Sequence, residues 1–168
     1  MLSTAPRDYD NKGGDKQRVN ILGFTGTQNG MTAEQKESVS RLIKQLIPRD
    51  AIDGDCIGAD TDFHNIFKEV MGFYPQLYPA NTTMKRAFNT SAHIHEPKEP
   101  LTRNRDIVND SEFMIATPSG MEVVRSGTWM TVRYTKKLKK TLYIVWGNGK
   151  IQRYMEFNGK YEPEWFNL

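Results

Sequence analysis

The chain has 168 residues, 38% of them hydrophobic and 26% charged, which is the size and make-up of one globular domain. Its 23 basic and 20 acidic residues leave a net charge of +3, compatible with an anionic ligand but too mild to imply a nucleic-acid surface. A single cysteine, Cys56, excludes an internal disulfide framework and a Cys-rich zinc module. No apolar run reaches the ~20 residues of a membrane span, and the polar N-terminus lacks the apolar core of a secretory signal, so a cytoplasmic protein is expected.

Residues 1–17 are polar and without periodicity, and read as a flexible N-terminal arm. A buried strand is predicted from Arg18 to Thr25, running into a loop with Gly26 and Gly30. Thr32 and Gln35 stand at capping-box spacing, and Val39, Leu42, Ile43, Leu46 and Ile47 mark one face of the helix that follows. Ala51–Gly54 is a second strand. A helix over about 59–71 turns Phe63, Ile66, Phe67 and Val70 inward. Gln76–Tyr78 is a short third strand ended by Pro79. Residues 81–100 form an irregular stretch long enough to suggest a functional loop, with closure over a ligand left open. A short helix near 101–109, a strand over 112–117, a helix over about 128–138 and a strand over 141–146 complete the alternation. Asn148-Gly149 and Asn158-Gly159 then flank an apolar run, the signature of hairpin turns.

Alternating strands and helices imply βαβ units. The expected fold is therefore α/β: a Rossmann-like parallel sheet with helices on both faces, plus a C-terminal β-hairpin or meander. Residues 18–146 form the nucleotide-binding domain in this reading, and 147–168 its β extension. Ligands in such sheets bind beyond the carboxyl ends of the strands.

Three loops leave those ends with glycine beside hydroxyl, amide or acidic side chains, a composition suited to phosphate at a helix N-terminus. Ligand contacts are expected from Thr25, Gly26, Thr27 and Gln28 after the first strand, and from Gly54, Gly58, Ala59 and Asp60 after the second. Pro79 follows the third strand, Arg103 and Asn104 lie in the short helix, and Arg125, Ser126, Gly127 and Thr128 follow the fourth strand. Arg103 and Arg125 are suited to gripping phosphate through two hydrogen bonds. Trp129 either stacks on a base or packs its helix onto the sheet, and packing is the preferred reading. The P-loop pattern and the GxGxxG fingerprint are both absent. An EF-hand reading of Asp53, Asp55 and Gly58 fails at Ile57 and His64. His93, His95 and Glu96 lack a completing ligand set, so neither a metal nor a cofactor is expected. Lys136, Lys137, Lys139 and Lys140 read as a solvated helix end.

The ordered set GFTGTQNG, DGDCIGAD, Tyr78-Pro79, Thr102-Arg103-Asn104, FMIATP and SGTW resembles the SLOG superfamily, the Rossmann-like group with the LOG, DprA and YpsA-type proteins. It is most similar to the small YspA-like branch. The resemblance covers roughly residues 18–146. It implies a nucleotide or nucleotide-derived ligand, often in a homo-oligomer. The catalytic LOG pattern PGGxGTxxE has no counterpart here: Pro-Gly-Gly is missing and Thr131 stands where the Glu is required. A threonine hydroxyl cannot act as a carboxylate base near neutral pH.

Three functions compete. The first is sequestration or sensing of a nucleotide signal of cyclic or ADP-ribose type, as in phage–host conflict. The second is a nucleoside 5'-monophosphate phosphoribohydrolase or other N-glycosidase, with Asp55, Asp60 and Glu122 as alternative carboxylates. The third is DprA-like binding of single-stranded DNA, which the modest charge supports least. Binding without turnover is the preferred expectation.

Overall fold

The computed structural model describes residues 20–168, so the arm read over 1–17 and the first two residues of the first predicted strand lie outside the described residues. Eleven elements follow in the expected alternation. They are β1 (Ile21–Gly26), α1 (Ala33–Leu46), β2 (Asp50–Asp53), α2 (Ala59–Met71), β3 (Gln76–Leu77), α3 (Pro100–Asn109), β4 (Phe113–Thr117), α4 (Gly127–Lys137), β5 (Thr141–Val145), β6 (Ile151–Phe157) and β7 (Lys160–Phe166). They build one seven-stranded sheet in the order β3-β2-β1-β4-β5-β6-β7. The first five strands are parallel, and β6 and β7 add an antiparallel meander to β5. The α/β fold with a parallel sheet and a C-terminal meander is therefore the observed one.

Apolar periodicity assigns the helices to two faces. Val39, Leu42 and Ile43 of α1 and Phe63 and Phe67 of α2 pack with Leu22, Phe24 and Ile115 on one face. Phe24 and Phe63 stack with ring centroids 4.3 Å apart. Ile107 and Val108 of α3 and Trp129 and Val132 of α4 pack with Met114, Leu142 and Ile144 on the other. Each residue alternates sides along its strand, so both sheet faces are apolar and both are covered.

Local signals set the ends of the elements; Ile47, expected on the apolar face of α1, is instead its left-handed C-cap at φ 47° and is exposed. Thr32 accepts from the Gln35 N–H while the Gln35 side chain accepts from the Thr32 N–H, a complete capping box at the start of α1. Asn158 and Gly159 both take positive φ, 50° and 75°, as a two-residue hairpin turn requires. The two sheet edges are protected differently. Along β3 lies a strap, residues 80–99, bridged to the edge at Leu77–Ile94 and closed on itself at Ala80–Lys98. The outer strand β7 instead carries Lys160, Glu162, Pro163 and Glu164, which discourage further strand pairing.

The strand order reverses at β1 and β4. There the chain leaves β1 toward β2 on one side and β4 toward β5 on the other, opening a crevice at the carboxyl ends.

Candidate functional site

A cavity of about 370 Å³ fills that crevice, within the size range of small-ligand sites. Its walls come from the ends of β1, β2 and β4 and from one side of α3 and α4. Thr25, Gly26, Thr27 and Gln28 form the β1 side, with Asn29 beside them. Gly54 and Asp60 close the β2 side, Arg103 and Asn104 the α3 side, and Arg125, Ser126, Gly127 and Thr128 the α4 side. The structure thus brings together residues from four separated segments. Gly58 and Ala59 do not line the cavity, and Pro79 lines a neighbouring cleft that shares Arg103.

The three glycine loops are not equivalent. The loop before α2 is packed against the one before α1. Ala59 donates its N–H to the Thr27 carbonyl at 2.9 Å. Gly58, at φ 90°, lies so close to the Gln28 backbone that a Cβ would collide with it. Asp60 and Asp62 already place acidic side chains in the first turn of α2. The start of α1 is filled by its own capping box, and Asp62 Oδ2 accepts from the Met31 N–H at 2.8 Å.

The start of α4 is open. Its first turn has no acidic residue, and Ser126 serves as N-cap, accepting from the Trp129 N–H. The Gly127 and Thr128 N–H groups have no acceptor among the described residues, and the Arg125 guanidinium has no partner there either. Open N–H groups at a helix start, with a guanidinium beside them, favour a bound anion. The loop bearing these groups is held from both ends. Arg133 bonds Glu122 and the Val124 carbonyl. Buried Gln35 donates to the carbonyls of Pro118 and Val145, tying the β4 and β5 ends together.

Arg103 is only 7% exposed, and its guanidinium is largely spent inside the protein. Nη1 donates to the carbonyls of Gly54 at 2.6 Å and Tyr78 at 3.1 Å, Nε to Asn104, and Nη2 to Cys56 Sγ. That joins the ends of β2 and β3. Gly54 is needed beneath it, because a Cβ there would sit 2.8 Å from Arg103 Nη1 and 2.9 Å from Asp60 Oδ2.

Asp60 is buried, and its Oδ2 accepts from the Cys56 N–H. Burial, then the nearby Asp53, pushes its carboxyl up to about 7, with Arg103 opposing. Among the described residues it is the one acidic side chain lining the cavity. Asp55 is elsewhere. Fully buried at φ 53°, it accepts from Arg86 Nε and the Asn89 N–H, so it holds the strap and does not reach the cavity. Cys56 lines the cavity, but burial pushes its thiol up to about 12, far from a nucleophilic thiolate. Thr131 lines the cavity with its hydroxyl donated to the Gly127 carbonyl.

Several sequence expectations are relocated. No residue of the 81–100 stretch lines the cavity; the strap pairs with β3 and the β2–α2 loop. His95 bonds Gln76, His93 is exposed, and no group of three or more His, Cys, Asp or Glu among the described residues is arranged to hold a metal ion. Trp129 packs against Trp146 at 5.8 Å and also lines the cavity. The lysine run is not uniformly solvated. Lys140 gives three bonds to carbonyls at the end of α3, and Lys136 lies over the Tyr154 ring at 4.2 Å.

The sequence reading missed the floor and lip of the cavity, Phe24 and Ile107 and then Ser119, Met121 and Val123. It also missed the buried Asp53–His64 pair behind the wall. Only the position of the β4–α4 loop at the switch point could have pointed to the lip.

No family profile matches the chain, and no curated protein sequence matches it. Among solved structures, the molybdenum cofactor binding protein from the phototrophic bacterium Rippkaea orientalis is similar. Its TM-score is 0.58 at 19% identity, covering 77% of this chain and 78% of that one. At that identity the likeness is one of fold. Among the described residues, no helix is long and apolar enough to cross a membrane.

Proposed function

We propose that this protein binds a phosphate-bearing, nucleotide-derived small molecule in the β1–β4 crevice and holds it without turnover, as a sequestering or sensing protein for a nucleotide signal. The observation that carries the reading is the open start of α4. Gly127 and Thr128 N–H groups and an Arg125 guanidinium without partners among the described residues sit at the edge of a cavity of about 370 Å³. In this reading a phosphate takes those groups. The rest of the ligand lies toward Asn104 and Asp60, where a hydroxyl or amine would meet the carboxyl.

The SLOG-type likeness of the strand-end motifs belongs to this proposal, as do homo-oligomerisation and a cytoplasmic setting. The similar fold of a protein whose ligand is itself a small cofactor supports small-molecule binding in general. The absence of turnover rests on Thr131, which stands at the LOG glutamate position and uses its hydroxyl within α4. DNA binding draws less support, because Lys136 and Lys140 are engaged internally.

Native mass spectrometry with a thermal-shift screen tests the proposal. The panel is AMP, ADP-ribose, cyclic ADP-ribose isomers and cyclic dinucleotides, with each ligand recovered and checked by chromatography. The expected result is stabilisation by at least one nucleotide, recovered intact. Conversion to base and ribose phosphate would overturn the non-catalytic part, and no shift with any nucleotide would overturn the whole.

A further inference from the structure

Behind the β2 wall lies a titratable pair to which the proposed binding assigns no role. His64, 1% exposed on α2, faces fully buried Asp53 at the end of β2, with Nδ1 2.8 Å from Asp53 Oδ2. Its other nitrogen, Nε2, is 2.7 Å from the Thr90 carbonyl of the strap. The imidazole is stacked on Tyr74 at 4.8 Å and 11°, which fixes its plane.

We propose that His64 and Asp53 form a proton-holding clasp: one proton shared between them fastens the strap to α2 and positions the Gly54–Asp60 wall of the cavity.

The argument is a count of hydrogens. A carbonyl oxygen only accepts, so Nε2 must carry a hydrogen toward Thr90. A second hydrogen must then lie between Nδ1 and Asp53. The pair is either imidazolium with carboxylate or neutral imidazole with carboxylic acid. Both forms have the same two hydrogens and no net charge. Removing the shared proton leaves bare Nδ1 against a carboxylate. Shifting the Nε2 hydrogen to Nδ1 instead leaves bare Nε2 against the Thr90 oxygen. In a buried site either outcome replaces a hydrogen bond with two facing acceptors.

The clasp reaches the cavity wall through the backbone. Asp53 Oδ1 accepts from the Asp55 N–H at 2.8 Å, and the Asp55 carboxylate holds Arg86 Nε and the Asn89 N–H of the strap. The Ala87 N–H also donates to the Asp55 carbonyl. The charged groups facing the pair are Asp55 on its own loop, Asp60 of α2, Arg86 of the strap and Arg103 of α3, with Lys68 over Tyr74.

Burial pulls His64 toward its neutral form, but the hydrogen bond to Asp53 and its charge outweigh this and raise the imidazole above its usual range. Burial also raises Asp53. Both directions mean that the folded protein keeps the shared proton to higher pH than separated side chains would. The clasp is thus fastened below the ordinary histidine value of about 6.5 and opens as pH rises through the raised one. This inference does not depend on which ligand the cavity takes.

The test uses the full chain labelled on histidine with ¹⁵N, titrated on the alkaline side. Amide exchange of Ala87 and Asn89 is read against α1 amides, to remove the intrinsic pH effect. The expected result is that the strap amides lose about tenfold in protection for each pH unit above the His64 transition, while α1 does not. The Asp53→Asn variant separates the clasp from packing. Its amide NH₂ donates to a bare Nδ1 and its oxygen still accepts from the Asp55 N–H, so the strap should stay protected at every pH with His64 neutral. His64→Leu removes both bonds and should expose the strap at every pH. If that variant does not fold, the wild-type and Asp53→Asn titrations decide alone. A wild-type strap whose protection ignores the His64 titration, or an Asp53→Asn variant with the wild-type pH dependence, would overturn the proposal.

Discussion

The starts of α2 and α4 both follow glycine-bearing loops at the carboxyl edge of the sheet, yet the chain uses them in opposite ways. At α2 the protein supplies its own occupants: the Thr27 carbonyl takes the Ala59 N–H, Gln28 seats on Gly58, and Asp60 and Asp62 place acidic side chains in the first turn. At α4 there is no acid in the first turn, and Gly127, Thr128 and Arg125 are left without protein partners among the described residues. A helix dipole favours an anion at both places, but only α4 leaves room for an external one. One loop spends its donors on the fold and the other leaves them open, although their compositions look alike.

Substitutions should separate the two roles. Arg103→Ala should cost most, about 3–5 kcal/mol, because it strips the buried Gly54 and Tyr78 carbonyls of a charged donor. Urea unfolding at neutral pH checks this. Gly58→Val should follow at about 3 kcal/mol, since it combines a positive φ with a collision against the Gln28 backbone. Were it tolerated, the closed state of the α2 start would be wrong. Arg125→Ala should leave stability within about 0.5 kcal/mol. It should weaken phosphate-ligand binding by about ten- to a hundredfold, measured by calorimetry. Ser126→Ala should cost about 1 kcal/mol through the lost cap, read from the unfolding midpoint.

The fold was legible because its signals are local. Thr32 and Gln35 announced the start of α1, the Phe63–Phe67 spacing announced the buried side of α2, and the Asn-Gly pairs announced the meander. The gathering of the site was legible in outline, since βαβ logic places every strand-end loop on one edge. What was not legible depends on partners distant in sequence. Asp55 has the chemistry of a base, but Arg86 and Asn89, more than thirty residues on, commit it to holding the strap. Lys140 belongs to a charged run, yet the carbonyls of Val108, Asn109 and Ser111 draw it inward. Likewise, Gly58 and Ala59 match a phosphate-loop composition, and only the packing of one loop on another shows that they face Gln28 and Thr27.

The comparison of the two helix starts is tested most directly by titrating AMP into ¹⁵N-labelled protein and following backbone amides. Binding through the open start predicts the largest shifts at the Gly127 and Thr128 amides, with Ala59, already bonded to Thr27, hardly moving. Dominant shifts at the α2 start, or none at Gly127 and Thr128 at saturating ligand, would contradict the account.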